Sequence, residues 1–255
     1  MNDDGSTTLR NSRSPVKHRP TPTLKEVERD LHALANPRDA VFLQRFFKTG
    51  AGEYGEGDQF LGIRVPPLRH LARRFRELPH EQVLNLLRSP WHEQRLLALL
   101  LLVDQYRRGT NAEREVIHRA YLDNVVYIDN WDLVDSSAEH IVGGHVDPRR
   151  ATLLEQLAHS RSVWERRIAV LATFYWIKQH EYRPTLRIAE LLMNDPHDLI
   201  QKAVGWMLRE IGKRDLAIEE KFLLRYYRQM PRTMLRYAIE RMPESRRQQY
   251  LQGEL

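Results

Sequence analysis

The segment Asn130-Trp131-Asp132-Leu133-Val134-Asp135 sets an indole and a carboxylate four residues apart, which puts both on one face of a helix. Arg166 follows Trp131 by 35 residues with Arg167 beside it, and Lys202 follows Arg166 by 36, with Trp206 and Arg209 close behind. Together these residue types form a kit for DNA. Guanidinium and ammonium groups hold phosphates. Indole faces pack against a sugar or a cationic base. A carboxylate beside a glycosidic bond stabilises a developing oxocarbenium ion or positions a water.

Each residue also has an ordinary reading. Tryptophans of helical repeats are usually core, and Trp164 and Trp176 are left there. Asp135 can cap or pair locally. Arg166 and Arg167 are adjacent and point about 100° apart on a helix, so one of them can be a solvated charge. Lys202 can be a surface residue, and Arg64 and Arg69 fit a DNA-facing role or a wet helix face equally. Glu139, His140 and His145 flank Gly143-Gly144 without a metal-ligand spacing, so no metal is expected. Gly55-Glu56-Gly57 is too short and too acidic for a phosphate loop.

The elements that must carry these groups are helices. From Thr23 onward apolar residues recur at helical spacing, with no strand-like alternation, and the predicted fold class is all-α. Ser89-Pro90, Asp147-Pro148 and Asp195-Pro196 each set a capping side chain before a proline, predicting helices that begin at Pro90, Pro148 and Pro196. Gly109 and Gly212 mark where the first and third of these should stop. The segments 92–98, 163–169 and 199–205 align without gaps, with Arg95, Arg166 and Lys202 at the fourth position and Trp131 in phase between the first two. Intervals of 36, 35 and 36 residues predict stacked helix pairs, a HEAT-like solenoid whose concave face collects side chains of equal phase. Many protein-binding scaffolds share that architecture, so it does not by itself give a function.

Composition sets outer limits. The 255 residues include no cysteine, which excludes disulfides and thiolate metal sites. The longest apolar run, Leu96 to Val103, is far short of a membrane span, and no secretory signal is apparent. A soluble, cytoplasmic protein is expected. Net charge is +6, mildly basic and only compatible with nucleic acid. Residues 1–24 contribute +2 of it and hold few apolar side chains, so a disordered basic tail is predicted ahead of a single repeat domain over 25–255.

Three strings turn these hints into a resemblance: Trp131-Asp132-Leu133-Val134-Asp135, Val163-Trp164-Glu165-Arg166-Arg167, and Ile200 through Glu210 with Trp206 inside it. With Phe60-Leu61-Gly62-Ile63-Arg64-Val65-Pro66, they resemble the AlkD-type DNA alkylation repair glycosylases over roughly residues 25–245. The resemblance implies a basic concave groove for duplex DNA and removal of cationic N3- and N7-alkylpurines without metal or other cofactor and without base flipping. It implies that Trp131 and Trp206 pack on the deoxyribose, that Asp135 stabilises charge on the sugar and guides water, and that Arg167 holds a phosphate. Arg166, Lys202 and Arg209 are assigned to DNA beside it. The sequence departs from the family pattern at Asn130, where a second tryptophan is usual, and at Asp198-Leu199, where an aromatic pair is usual.

The expectation is a monomeric, monofunctional alkylpurine glycosylase that needs no obligate protein partner and no membrane, reaching the nucleoid when bound to DNA. The alternatives are a non-catalytic binder of damaged or branched DNA and a protein-binding scaffold. A pure binder has no use for Asp135, and steep salt dependence would separate DNA binding from the scaffold.

Overall fold

A computed structural model describes residues 21–255. Among them no strand is present apart from a single parallel bridge between Gln59 and Trp91, and the class is all-α. The expected tail lies largely outside the described residues. Its boundary at residue 24 falls inside a helix, because Thr23 and Glu26 form a reciprocal capping box that starts α1 (Leu24–Ala33).

Six helices pack one on the next in chain order: α3 (Val65–Arg74), α5 (His92–Arg108), α7 (Trp131–Ala138), α9 (Val163–Ala172), α12 (Asp198–Gly212) and α14 (Arg232–Ala238). A second set lies against that row: α4 (His80–Leu87) and α6 (Asn111–Asp123) on α5, α8 (Thr152–Ala158) on α9, and α11 (Arg183–Leu191) and α13 (Leu216–Tyr226) on α12. A π-helical segment, Glu139–Gly143, continues α7 and seats α6. α2 (Pro37–Phe46), α10 (Phe174–Ile177) and α15 (Glu244–Gln252) complete the set. One apolar core runs from Val27 to Tyr250, and the apolar run Leu96 to Val103 on α5 is buried within it except at the half-buried Leu100. Among the described residues no helix is long and apolar enough to cross a membrane.

The proline starts differ from expectation. α5 begins at His92 and α12 at Asp198, two residues beyond Pro90 and Pro196. Ser89 Oγ and Asp195 Oδ1 each accept the amide two residues on, at 3.1 and 2.8 Å, and so close a turn ahead of the helix rather than capping the helix itself. Only Asp147 caps an element opening on its proline, the short 3₁₀ turn Pro148–Arg150. The glycine stops hold: Gly109 follows the last residue of α5, and Gly212 is the last of α12.

At two of the four in-phase positions, Arg95 and Arg166, the side chain clamps a turn. Arg95 Nη1 donates to the carbonyls of Ser89 and Pro90, and Arg166 Nη1 donates to those of Ser160 and Arg161, in each case the turn five and six residues earlier. Each guanidinium is also held by carboxylates, Asp58 and Asp129 for Arg95 and Asp195 for Arg166. At these two positions the side chain fixes the turn before its helix, whose carbonyls would otherwise go unpaired.

Candidate active site at the start of α7

Asn130 is fully buried and its Oδ1 accepts the Trp131 amide at 2.8 Å, so α7 begins with Trp131 at its first position. One helical turn later Asp135 emerges beside it. Trp131, Asp135 and Ser136 line one cavity of about 210 Å³ with Val65 and Arg69 of α3 and Leu100 of α5. The indole and carboxylate thus face the same space.

Asp135 is gripped by one guanidinium. Arg167 Nε and Nη2 donate to its two oxygens, each at 2.8 Å, and Nη1 donates to the Leu199 carbonyl at 2.6 Å. Arg167 keeps only 6% of its side chain exposed and Asp135 17%. Burial pushes the Asp135 carboxyl above its ordinary value, Arg167 opposes that rise, and the neighbouring Asp132 adds to it. Such a group loses its charge at a higher pH than a solvated aspartate while its geometry is locked by a fork.

Trp131 is set by an aromatic column that no local spacing foreshadows. It stacks on Phe47 (centroids 5.1 Å apart, 25° between planes) and meets Phe46 edge-on at 5.8 Å. Phe47 in turn stacks on Phe60, and His92 lies against both. His92 is buried, with Nδ1 2.7 Å from Asp58 and Nε2 2.9 Å from Asp132. Burial alone would lower its pKa, but the two carboxylates, Asp132 foremost, outweigh it and raise the imidazole to about 9. An imidazolium therefore pins the loop carrying Asp58 to the start of α7. Next door, Glu93 accepts the amides of Leu61, Gly62 and Ile63 at 2.8–3.0 Å. Gly62 sits in the left-handed region (φ +83°), and a Cβ there would lie 2.0 Å from the Asn36 carbonyl, so the Phe60-to-Pro66 string is a backbone wrap around Glu93.

The other expected site residues separate. Trp206 is half-buried on α12 against Phe174 (6.0 Å), with its indole N–H donating to Glu210 at 3.2 Å. It does not line the cavity of Trp131 and Asp135. Arg166 is engaged with Asp195 and two turn carbonyls, and Arg209 with Glu240. Lys202 pairs with Asp198 at 2.6 Å, but both side chains are well exposed. A solvated pair of that kind contributes little and opens readily. Arg166, Arg167 and Arg209, expected at the DNA, are each paired with one of this chain's own acids. Those acids lie 29 to 32 residues away in the chain, where no local spacing reveals them.

Sequence reasoning passed over Phe46, Phe47, Tyr54 and His92. Tyr54, on the Gly-rich loop set aside as a phosphate cradle, lies beside Trp131 and meets Trp164 edge-on at 6.0 Å. The one available signal was α2, whose Phe42 and Phe46 recur at i and i+4 yet find no core: no residue of that helix is buried. Elsewhere, Glu139 holds Lys178 at 2.6 Å, His140 lies 2.9 Å from Arg107, and His145 stacks on His118.

A family model described as DNA alkylation repair enzyme matches residues 27–242. Among solved structures, a predicted DNA alkylation repair enzyme from Enterococcus faecalis is 18% identical, with a TM-score of 0.63 over 82% of this chain and 97% of its own. At that identity the likeness concerns the fold alone. No curated protein sequence matches.

Proposed function

Since this chain belongs to the DNA alkylation repair enzyme family, we propose that it is a monofunctional DNA glycosylase acting on cationic N3- and N7-alkylated purines in duplex DNA. The row of helices from α3 to α14 is read as a HEAT-like solenoid whose inner, basic groove takes the duplex. The observation that carries the proposal is the shared cavity of Trp131 and Asp135, with Asp135 oriented by the Arg167 fork.

A purine alkylated at N3 or N7 is already positively charged, so the bond to C1′ breaks with its electron pair passing to the base, which becomes neutral. Positive charge is left on the deoxyribose. Trp131 packs against that sugar, and Asp135 stabilises the charge at short range in a poorly solvated pocket. Water then bonds to C1′ from the Asp135 side and gives up a proton, leaving an abasic site and a free alkylpurine. Trp206 supplies a second aromatic wall further along the groove. Nothing in this sequence of steps requires the base to leave the stack, unlike the usual route of base-modifying enzymes. Arg167 acts as a positioning residue that aims Asp135, and Lys202 exchanges Asp198 for a phosphate.

The test is release of 7-methylguanine from methylated duplex DNA in excess EDTA, comparing wild type with Asp135→Asn. Release by the wild type that the variant loses supports the assignment and its metal-free character. Release that persists in the variant removes Asp135 from the chemistry. No release by either, with salt-sensitive DNA binding intact, makes the protein a non-catalytic DNA binder; no binding at all leaves a protein scaffold.

A further inference from the structure

Behind Asp135 a second cavity of about 480 Å³ opens between α3, α5 and α7. Four arginines line it: Arg69, Arg73 and Arg76, along α3 and the turn after it, and Arg107 on α5. Positions 69, 73 and 76 are spaced i, i+4 and i+7, a single helical face. That face is turned from the core, because Leu68 and Leu71 are the buried residues of α3. Arg69 and Asp135 are common to this cavity and the smaller one that Trp131 lines, so the two adjoin.

The charges in this cavity do not balance. Its acids are Asp104 and Asp135, and each already has a cation of its own: Arg76 and Arg108 for Asp104, Arg167 for Asp135. Arg69 and Arg73 are exposed and form no ion pair among the described residues, and Arg107 has only the ring of His140 beside it. Three guanidinium groups thus line one cavity, none of them in an ion pair among the described residues. Like charges gathered in a concavity repel one another and raise the local concentration of anions. Each planar guanidinium presents a fork of N–H donors suited to two oxygens of a phosphodiester.

We propose that this cavity is a phosphodiester-binding site in which Arg69, Arg73 and Arg107 take backbone phosphate of the strand whose sugar rests on Trp131 and Asp135. The assignment rests on the glycosylase reading for the position of that sugar. Every deoxyribose carries its phosphates covalently at 3′ and 5′, so a sugar held at the smaller cavity brings one of them to the wall that Arg69 shares. Unlike Arg166, Arg167 and Arg209, these three arginines have no acid of this chain to exchange for a phosphate.

The experiment is the salt dependence of binding to undamaged duplex DNA, which needs no chemistry. Wild type is compared with Arg69→Gln/Arg73→Gln and with Arg107→Gln. Arg74→Gln, whose arginine is paired with Asp30 outside the cavity, is the control. The slope of log affinity against log salt is expected to flatten by about 0.9 for each phosphate left without its arginine, one or two phosphates in the double variant, and to stay unchanged in the control. Unaltered thermal midpoints check folding, since Arg69 and Arg73 are exposed. A slope equal to wild type in both cavity variants overturns the proposal. Inorganic phosphate provides the second arm: if it binds wild type and not the double variant while the DNA slopes agree, the site takes a free phosphate and its assignment to DNA is overturned. Failure of the glycosylase reading is separately visible as absent 7-methylguanine release by wild type with a normal slope.

Discussion

Asp135 is held at both oxygens by Arg167, and this sets what each residue should do when changed. Removing one electrostatic stabiliser aimed at developing charge costs roughly 100- to 1,000-fold in kcat, the loss expected for Asp135→Asn with DNA affinity retained. The ionised carboxylate is the active form and burial raises its pKa, so activity should fall as pH drops through a value above that of a solvated aspartate. Arg167 opposes that rise. Arg167→Gln should therefore move the acid limb of the kcat profile to still higher pH, and Arg167→Lys, which keeps charge but not the fork, should move it less. An acid limb that shifts downward or stays in place in Arg167→Gln would remove Arg167 from the role of aiming Asp135. Loss of one partner from a buried pair also costs ~3 kcal/mol of stability, so the profiles are taken below the variant's thermal midpoint.

At the scale of elements, the start of α5 organises the wall around Trp131. His92 ties the 48–63 loop to α7 through Asp58 and Asp132, with a pKa raised from 6.5 to about 9. A raised folded-state pKa stabilises fully below about 6.5 and less and less as pH climbs through about 9. Denaturant titrations should thus show wild type losing ~3 kcal/mol across that window, and His92→Gln losing much less. Identical pH slopes for the two would mean that the imidazolium is not the tie. A second element-level prediction concerns α12 and α14. A Cβ at Gly205 would sit 2.4 Å from the Met234 carbonyl and 2.6 Å from Tyr237 Cβ, so Gly205→Ala should push the helices apart and cost ~1–3 kcal/mol in equilibrium unfolding. The string around Trp206 that carries the family likeness thus includes a packing requirement beside any chemical one.

For the whole molecule, a net charge of +6 understates the field a duplex would meet. Many cations are paired within the chain, whereas Arg69, Arg73 and Arg107 line one cavity without an ion pair of their own among the described residues. Affinity for undamaged duplex should accordingly fall steeply with salt, measured by fluorescence anisotropy from low to physiological ionic strength. A flat response would favour the protein scaffold.

The all-α class, the 35- to 36-residue spacing of similar segments, the family, and the placing of Trp131 and Asp135 on one helix face were legible in the sequence alone. These are local properties, written in spacings of three to seven residues or in strings that recur. It did not determine that Pro90 and Pro196 precede their helices by two residues, because that choice depends on side chains closing the turn ahead of each helix, Ser89 and Arg95 in one case and Asp195 in the other. Nor could it tell which cations are occupied. Arg166 and Arg167 look alike in the chain, yet one finds Asp195, after them in the chain, and the other Asp135, before them. Whether a charge is neutralised or left for a ligand depends on partners some thirty residues distant, and only the packing of one helix on the next brings those partners together.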